Sequence, residues 1–133
     1  MPTIERFEEL IAWQKARAFA REVHVAASTG PFSKDYGLRD QLDRCAASVM
    51  ANIAEGFERG SRGEFHQFLS IAKGSCGEAR SHLYVALDRH HINDAQFEHL
   101  MELVSEVSRL VSGLRTAVQA QRDRQRASTR SPT

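Results

Sequence analysis

The stretch that decides the fold is SVMANIAEGFERGSRGEFHQFLSIAKGSCGE, residues 48–78. It contains two runs of apolar residues at helical spacing, which a short polar break around Arg59 and Gly60 separates. Ser61 follows the break and Glu64 comes three residues later, which is the capping-box pattern at the start of a helix. The stretch therefore predicts that one helix ends near residue 59 and that another begins near residue 62.

On both sides of this stretch, apolar residues recur at alternating spacings of three and four, the period of one helix face. Pro31 separates the first two helices, because proline disfavours helical backbone in the residue before it. We expect Ser33 to cap the second helix, and Asn93 with Gln96 repeats the capping pattern before the fourth. The predicted helices span about residues 6–27, 34–59, 62–89 and 94–122.

The number and length of these helices predict the fold class. Four helices of similar length joined by short links fold most simply as an antiparallel, up-down-up-down four-helix bundle. A chain of 133 residues is long enough to bury a core as one domain. We therefore predict an all-α protein with a single domain over residues 1–124 and a flexible basic C-terminal tail over residues 125–133.

The composition is that of an ordinary globular protein, with 41% hydrophobic and 26% charged residues. The chain contains no apolar run of 18 residues and no recognisable signal peptide. Cys45 and Cys76 lie in apolar helical patterns, where cysteine behaves as a small apolar side chain. These features predict a cytoplasmic protein with reduced thiols and no membrane contact.

The positive charge is unevenly distributed, although the formal net charge is only +1. Fifteen of the eighteen basic residues are arginine, and from Arg115 onward five arginines face one acid, Asp123. The planar guanidinium group suits phosphates, so a basic patch predicts nucleic-acid binding; the competing interpretation is that these arginines only keep the surface soluble. The nucleic-acid-binding candidates are Arg59, Arg62, Arg115, Arg122, Arg124 and Arg126.

The second and third helices carry polar and small residues where a plain bundle would carry leucine. Buried polar groups that satisfy one another fix the register of two helices. Small residues on the third helix, such as Gly74 and Gly77, allow close approach of another backbone. We favour a structural network or interface over a binding site for an RNA backbone or small ligand, and catalysis comes last. The candidates are Arg44, Ser48, Asn52, Glu55, Gly56, Gly74, Ser75 and Glu78.

The sequence offers little support for an enzyme. Glu55 and Glu78 resemble an acid/base pair only in composition, since no nucleophile, phosphate-binding loop or cofactor motif accompanies them. The six histidines lack metal-ligand spacing, and we expect His90 and His91 to lie in an exposed turn. We predict no catalytic residues, no metal site and no cofactor.

Three segments carry a resemblance to a known family: WQKA at 13–16, YGLRDQLDRCAASVMANIAEG at 36–56 and EFHQFLSIAKGSCGE at 64–78. Over roughly residues 7–114 the chain resembles the 23S ribosomal RNA intervening-sequence proteins. The resemblance implies a small bacterial cytoplasmic four-helix bundle that forms a ring-like homopentamer and has no settled activity. A more distant similarity connects that family to accessory proteins of diversity-generating retroelements, pentameric bundles that bind nucleic acid and a reverse transcriptase.

Two functional hypotheses follow from the residues and the resemblance together. The leading one is a non-enzymatic accessory module that binds structured RNA through arginines at the openings of a ring, which would repeat each basic patch. The alternative is a protein–protein interaction scaffold without nucleic-acid binding, whose small polar face around Asn52 and Gly74 holds the subunits together. The sequence names no protein partner other than a second copy of the chain.

Overall fold

The computed structural model describes residues 3–129, which form four α-helices and two short 3-10 helices and contain no strand. The α-helices are α1 (Ile11–Ala27), α2 (Tyr36–Glu58), α3 (Arg62–Asp88) and α4 (Asp94–Thr129). The 3-10 helices, Phe7–Glu9 and Gly30–Lys34, precede α1 and α2. The predicted all-α class is thereby confirmed.

Each α-helix packs against two others, and together they surround one hydrophobic core. The contacting pairs are α1–α2, α2–α3, α3–α4 and α1–α4, an arrangement consistent with a helical bundle. Each fully buried large apolar side chain contributes roughly 1.5–3 kcal/mol relative to an exposed one. The largest of them are Phe19, Phe32, Leu42, Ile53, Leu69 and Leu83. No helix within residues 3–129 is long and apolar enough to cross a membrane.

Gly56 marks the closest approach of α2 to α3. A Cβ atom at this position would lie 2.7 Å from Cβ of Phe68 and 3.1 Å from Cδ1 of Phe65. The phenyl rings of Phe57 and Phe65 meet edge to face beside it, with centroids 6.0 Å apart. Any side chain at Gly56 would force the two helices apart, so glycine is the residue that this crossing requires.

The turns before α3 and α4 are capped as the sequence predicts. Gly60 adopts a φ of 85° between α2 and α3, a conformation that glycine adopts without strain. Ser61 Oγ then accepts a hydrogen bond from the Glu64 amide at 3.1 Å. Before α4 the exchange is reciprocal: the Asn93 amide donates to Gln96 Oε1 at 2.9 Å, and the Gln96 amide donates to Asn93 Oδ1 at 2.8 Å.

The first two helices begin later than predicted. α1 starts at Ile11 rather than near residue 6, because Leu10 has an extended backbone that interrupts the helical turn at Phe7–Glu9. α2 starts at Tyr36, because the 3-10 helix that contains Pro31 runs through Lys34. The N-cap of α2 is therefore Asp35, whose carboxylate accepts from the Leu38 amide at 3.4 Å, and not Ser33.

The fourth helix is longer than predicted. The loss of apolar periodicity after Val118 suggested an end near residue 122 and a flexible tail from residue 125. α4 instead remains helical to Thr129, and Arg62 of α3 donates a hydrogen bond to Gln125 in this extension. Residues 130–133 of the predicted tail lie outside the described part of the chain.

Candidate nucleic-acid interface

The predicted polar network exists in part, across the contact between α2 and α3. Asn52 Nδ2 donates to the Ser48 carbonyl oxygen at 2.8 Å and to Ser48 Oγ at 2.9 Å. Ser48 Oγ lies 3.1 Å from Ser75 Oγ on α3, so the three side chains form one chain of hydrogen bonds. Ser75 is buried and the other two are half-buried. A satisfied network of this kind favours one register of two packed helices.

The charged residues expected in this network lie outside it. Arg44 is exposed and pairs with Asp40 on its own helix, with 3.1 Å between Nε and Oδ2. Glu55 is likewise exposed and pairs with Arg59 one turn later. Glu78 is exposed, and its Oε1 lies 3.8 Å from Nε2 of His82 on the same helix. The network is thus smaller and less charged than the sequence suggested, because long charged side chains at its edges turn outward to solvent.

The small residues expected there also divide into two groups. Gly56 is buried against α3, as described above, and its role is packing. Gly74 and Gly77 are exposed, and a Cβ at either position would meet no atom within 4 Å. These two glycines therefore allow no close contact within the chain itself, and they leave an open strip on the outer face of α3.

The two cysteines lie in the core beside this network and are chemically quiet. Burial, followed by the charge of the nearby Glu78 carboxylate, raises the pKa of the Cys45 thiol to about 12. Burial likewise raises the pKa of Cys76 to about 11. Both thiols are free and buried, so they act as apolar side chains, as the sequence predicts.

Of the six candidate arginines, Arg59 is the one that carboxylates neutralise. Its guanidinium group lies 2.8 Å from Glu55 and 3.6 Å from Glu64, and it sits over the Phe68 ring at 5.1 Å from the centroid. The hydrogen bond and the charge of Glu55 raise the pKa of Arg59 above its ordinary value. Arg59 is therefore already paired with two carboxylates, which makes it a weaker candidate for phosphate binding than an arginine without such a pair.

Four other candidates converge where α3 begins and α4 ends, and we call this group the arginine end: Arg62, Arg122, Arg124 and Arg126. Within residues 3–129 none of the four pairs with a carboxylate. Neutral amides hold two of them instead. Arg62 donates to Gln121 Oε1 at 3.3 Å and to Gln125 Oε1 at 2.9 Å, and Arg122 donates to Gln119 Oε1 at 3.3 Å. Their positive charge is oriented without being cancelled.

Arg115, the sixth candidate, lies about two turns of α4 before the arginine end. Its Nε donates to Ser70 Oγ on α3 at 3.0 Å, and it lines a shallow depression with His66 and Gln119. The one acid of this helix end, Asp123, lines the same depression and accepts from Gln119 Nε2 at 2.9 Å. Arg115 therefore contributes less net charge than the arginine end does.

The glutamines that hold the arginines were not identified from the sequence. Gln121 and Gln125 are four residues apart and so share a helix face, which is a signal that the sequence contains. Recognising it required knowing that α4 extends past residue 122 and lies against Arg62. The predicted boundaries put Gln121 at the end of the fourth helix and Gln125 in the tail, so they give no reason to expect the two on one helix face.

Fold and surface together define a helical-bundle protein with a concentrated basic end. The chain belongs to the 23S rRNA-intervening sequence protein family, whose model matches residues 8–113. Four of the six candidate arginines, Arg115, Arg122, Arg124 and Arg126, lie beyond the matched range.

The comparisons with other proteins agree on the fold. The crystal structure of a protein of unknown function from the S23 ribosomal protein family of Bacteroides thetaiotaomicron superimposes with a TM-score of 0.73 at 24% sequence identity. The alignment covers 80% of this chain and 96% of that one. No curated protein is significantly similar to the chain in sequence.

Proposed function

We propose that this protein is a non-enzymatic module that binds structured RNA through the arginine end. The observation that carries the proposal is that four guanidinium groups meet where α3 begins and α4 ends, with no carboxylate paired to them within residues 3–129. Arginine forks match the geometry of phosphate oxygens, and phosphates supply much of the affinity in protein–nucleic acid complexes. The family's link to the 23S rRNA intervening sequence favours RNA as the nucleic acid.

The proposal extends to the arrangement of the helices and subunits. We infer an antiparallel, up-down-up-down bundle, because Gly56 near the end of α2 meets Phe68 near the start of α3, while Ser48 and Ser75 meet at the middle of both helices. We further propose a ring-like homopentamer in the bacterial cytoplasm, which the family resemblance implies. A ring would repeat the arginine end once per subunit and so strengthen a modest patch by multivalency.

The direct test is RNA binding by two charge-matched double variants. Arg122→Gln with Arg126→Gln removes two groups of the arginine end, and Arg17→Gln with Arg21→Gln removes two exposed arginines of α1. The first pair should weaken RNA binding about 100-fold at low salt, because each lost hydrogen bond to a charged group costs about 1.5–3 kcal/mol, and the second pair should change it little. Equal affinity of the two double variants, or no binding by the unaltered chain at low salt, would refute the proposal.

A second function, a protein–protein scaffold, has one observation in its favour. The outer face of α2 and α3 exposes small or apolar side chains, with Ile71 at 46% exposure beside Gly74 and Gly77. Ala47 and Ala51 are exposed on α2. We propose this strip as the subunit contact, and its test is the mass of the particle by light scattering. Gly74→Arg should dissociate the assembly, and an unchanged mass would place the contact elsewhere.

A further inference from the structure

The arginine end carries hydrogen-bond donors from side-chain amides as well as from guanidinium groups. A guanidinium group has donors and no acceptor, so the contacts of Arg62 fix the amide orientation of Gln121 and Gln125: their oxygens face the arginine. Each Nε2 group is then directed away from Arg62, and neither has a hydrogen-bond partner among residues 3–129. The two glutamines therefore add N–H donors to a surface that is already cationic.

Two depressions lie side by side on this surface and share one wall. The first, about 460 Å³, is lined by Arg62, Gln121, Arg124 and Gln125. The second, about 380 Å³, is lined by Arg62 and Gln125 again, together with Arg122 and Arg126. No carboxylate and no aromatic ring lines either depression within the described part of the chain. Arg62 and Gln125 form the wall between them.

We propose that these depressions are paired phosphate subsites, and that they hold two neighbouring phosphodiester groups of one RNA strand, with Arg62 and Gln125 between them. The inference rests on the proposed function and specifies which part of the RNA the site binds. Gln121 lines only the first depression and Arg126 only the second, so the shared Gln125 lies between two adjacent groups of donors. Arg62 serves both subsites, because it lines both depressions.

A strand fits this surface better than a free phosphate ion does. The start of α3 offers no open anion site, because Ser61 caps the Glu64 amide and the Glu64 carboxylate accepts from the Ser61 hydroxyl at 3.0 Å. The donors instead lie on two sides of Arg62 and are open to solvent. Phosphate contacts carry no sequence information, so a site that holds two phosphates is expected to bind the backbone of a strand whatever its sequence.

The test is the substitution Gln125→Glu, which keeps the partner of Arg62 in place but turns a neutral clamp into an ion pair. The matched control is Gln41→Glu, which adds the same charge at an exposed position near the start of α2. The probe is a short fluorescent RNA hairpin, titrated between about 50 and 200 mM salt. The slope of log affinity against log salt counts the phosphate contacts.

We expect Gln125→Glu to reduce the magnitude of this slope by about 1.5, which corresponds to two lost phosphate contacts at about 0.7–0.9 each. Arg124→Gln and Arg126→Gln, which each alter one depression, should lower it by about 0.8, and Gln41→Glu should leave it unchanged. If Gln125→Glu binds like Gln41→Glu while the unaltered chain binds RNA, the paired subsites are refuted and the proposed function stands. If the unaltered chain binds no RNA, both are refuted.

Two further arms identify the ligand. Hairpins of equal length and unrelated sequence should bind alike, and a tenfold preference for one of them would contradict backbone recognition. Inorganic phosphate should displace the hairpin no better than chloride at equal ionic strength. Stronger displacement by phosphate would show that the depressions take the free ion, which would overturn the assignment to a strand.

Discussion

His91 donates a hydrogen bond from Nε2 to Oδ2 of Asp35 at 2.9 Å, and this contact joins two turns that are far apart in sequence. Arg89 donates to the same oxygen at 2.8 Å. The His91 ring is largely buried and stacks on Phe32, with centroids 5.0 Å apart and planes at 21°. Asp35 therefore caps α2, pairs with Arg89 and holds His91 in the wall of the core.

The Asp35 contacts predict an acid-sensitive stability. The hydrogen bond from His91, followed by that from Arg89, holds the pKa of Asp35 below its ordinary value of about 3.9. A carboxyl group with a depressed folded pKa stabilises the fold above its unfolded pKa, and this stability is lost as the pH falls below about 4. Asp35→Asn keeps a capping side chain but loses the charge, so its melting temperature should fall at neutral pH.

The pH dependence of that deficit is the specific prediction. The melting temperatures of the unaltered chain and of Asp35→Asn should differ by a constant amount above about pH 5 and converge as the pH falls through the depressed pKa of Asp35. Asp40→Asn is the control, because its pair with Arg44 is exposed and exposed pairs contribute little. A difference in melting temperature that stayed constant down to about pH 3 would mean that the carboxylate charge does not contribute to stability.

Two glycine-to-alanine substitutions should change stability in opposite directions. At Gly56 a Cβ would lie 2.7 Å from Cβ of Phe68, so Gly56→Ala should lower the free energy of unfolding by about 1–3 kcal/mol. At Gly74 a Cβ meets nothing within 4 Å, so Gly74→Ala should raise it by up to about 1 kcal/mol, the difference in helix propensity. Urea denaturation of dilute protein measures both, and equal shifts would contradict the packing described for α2 and α3.

The hydroxyl pair between α2 and α3 should show measurable coupling. We expect a double-mutant cycle of Ser48→Ala and Ser75→Ala to give an interaction free energy of about 0.5–1.5 kcal/mol, the range for a typical intramolecular hydrogen bond. Ser48→Ala should be the more costly single change, since it also removes an acceptor for Asn52. Strictly additive effects would show that the 3.1 Å contact does not stabilise the register.

The thiols of the folded protein should react slowly with alkylating reagents. A pKa of about 11 at Cys76 leaves roughly 300-fold less thiolate at neutral pH than an ordinary cysteine of pKa about 8.5. Burial of both side chains slows the reaction further. The rate of thiol labelling should therefore increase with the fraction of unfolded protein as urea is added. Rapid labelling of either thiol in native buffer would place it at the surface.

The helices and their caps could be predicted because the signals for them are local. The apolar period of α4, the Ser61–Glu64 pattern and the Asn93–Gln96 pattern each lie within a few residues of the structure that they specify. The late starts of α1 and α2 were harder to see, because the 3-10 turns depend on backbone angles at Leu10 and around Pro31.

The candidate site could be predicted only in outline, because its details depend on contacts between distant residues. His90 is exposed as expected, but His91 is largely buried, since Phe32 and Asp35 approach it from another turn. Arg44 and Glu55 find partners one turn away on α2, which the sequence allowed equally with the predicted network. Arg59 and Arg62 are alike in sequence, but Arg59 pairs with carboxylates whereas Arg62 donates hydrogen bonds to side-chain amides.

The extension of α4 past the core has a consequence for how this protein can change over evolutionary time. Val118 is the last buried residue of the described chain, and everything from Gln119 to Thr129 lies at least partly in solvent. Substitutions there alter the surface charge with almost no effect on the packing that folds the bundle. Substitutions in this segment could thus raise or lower the affinity for a polyanion, or change which polyanion is bound, while the rest of the chain stays as it is.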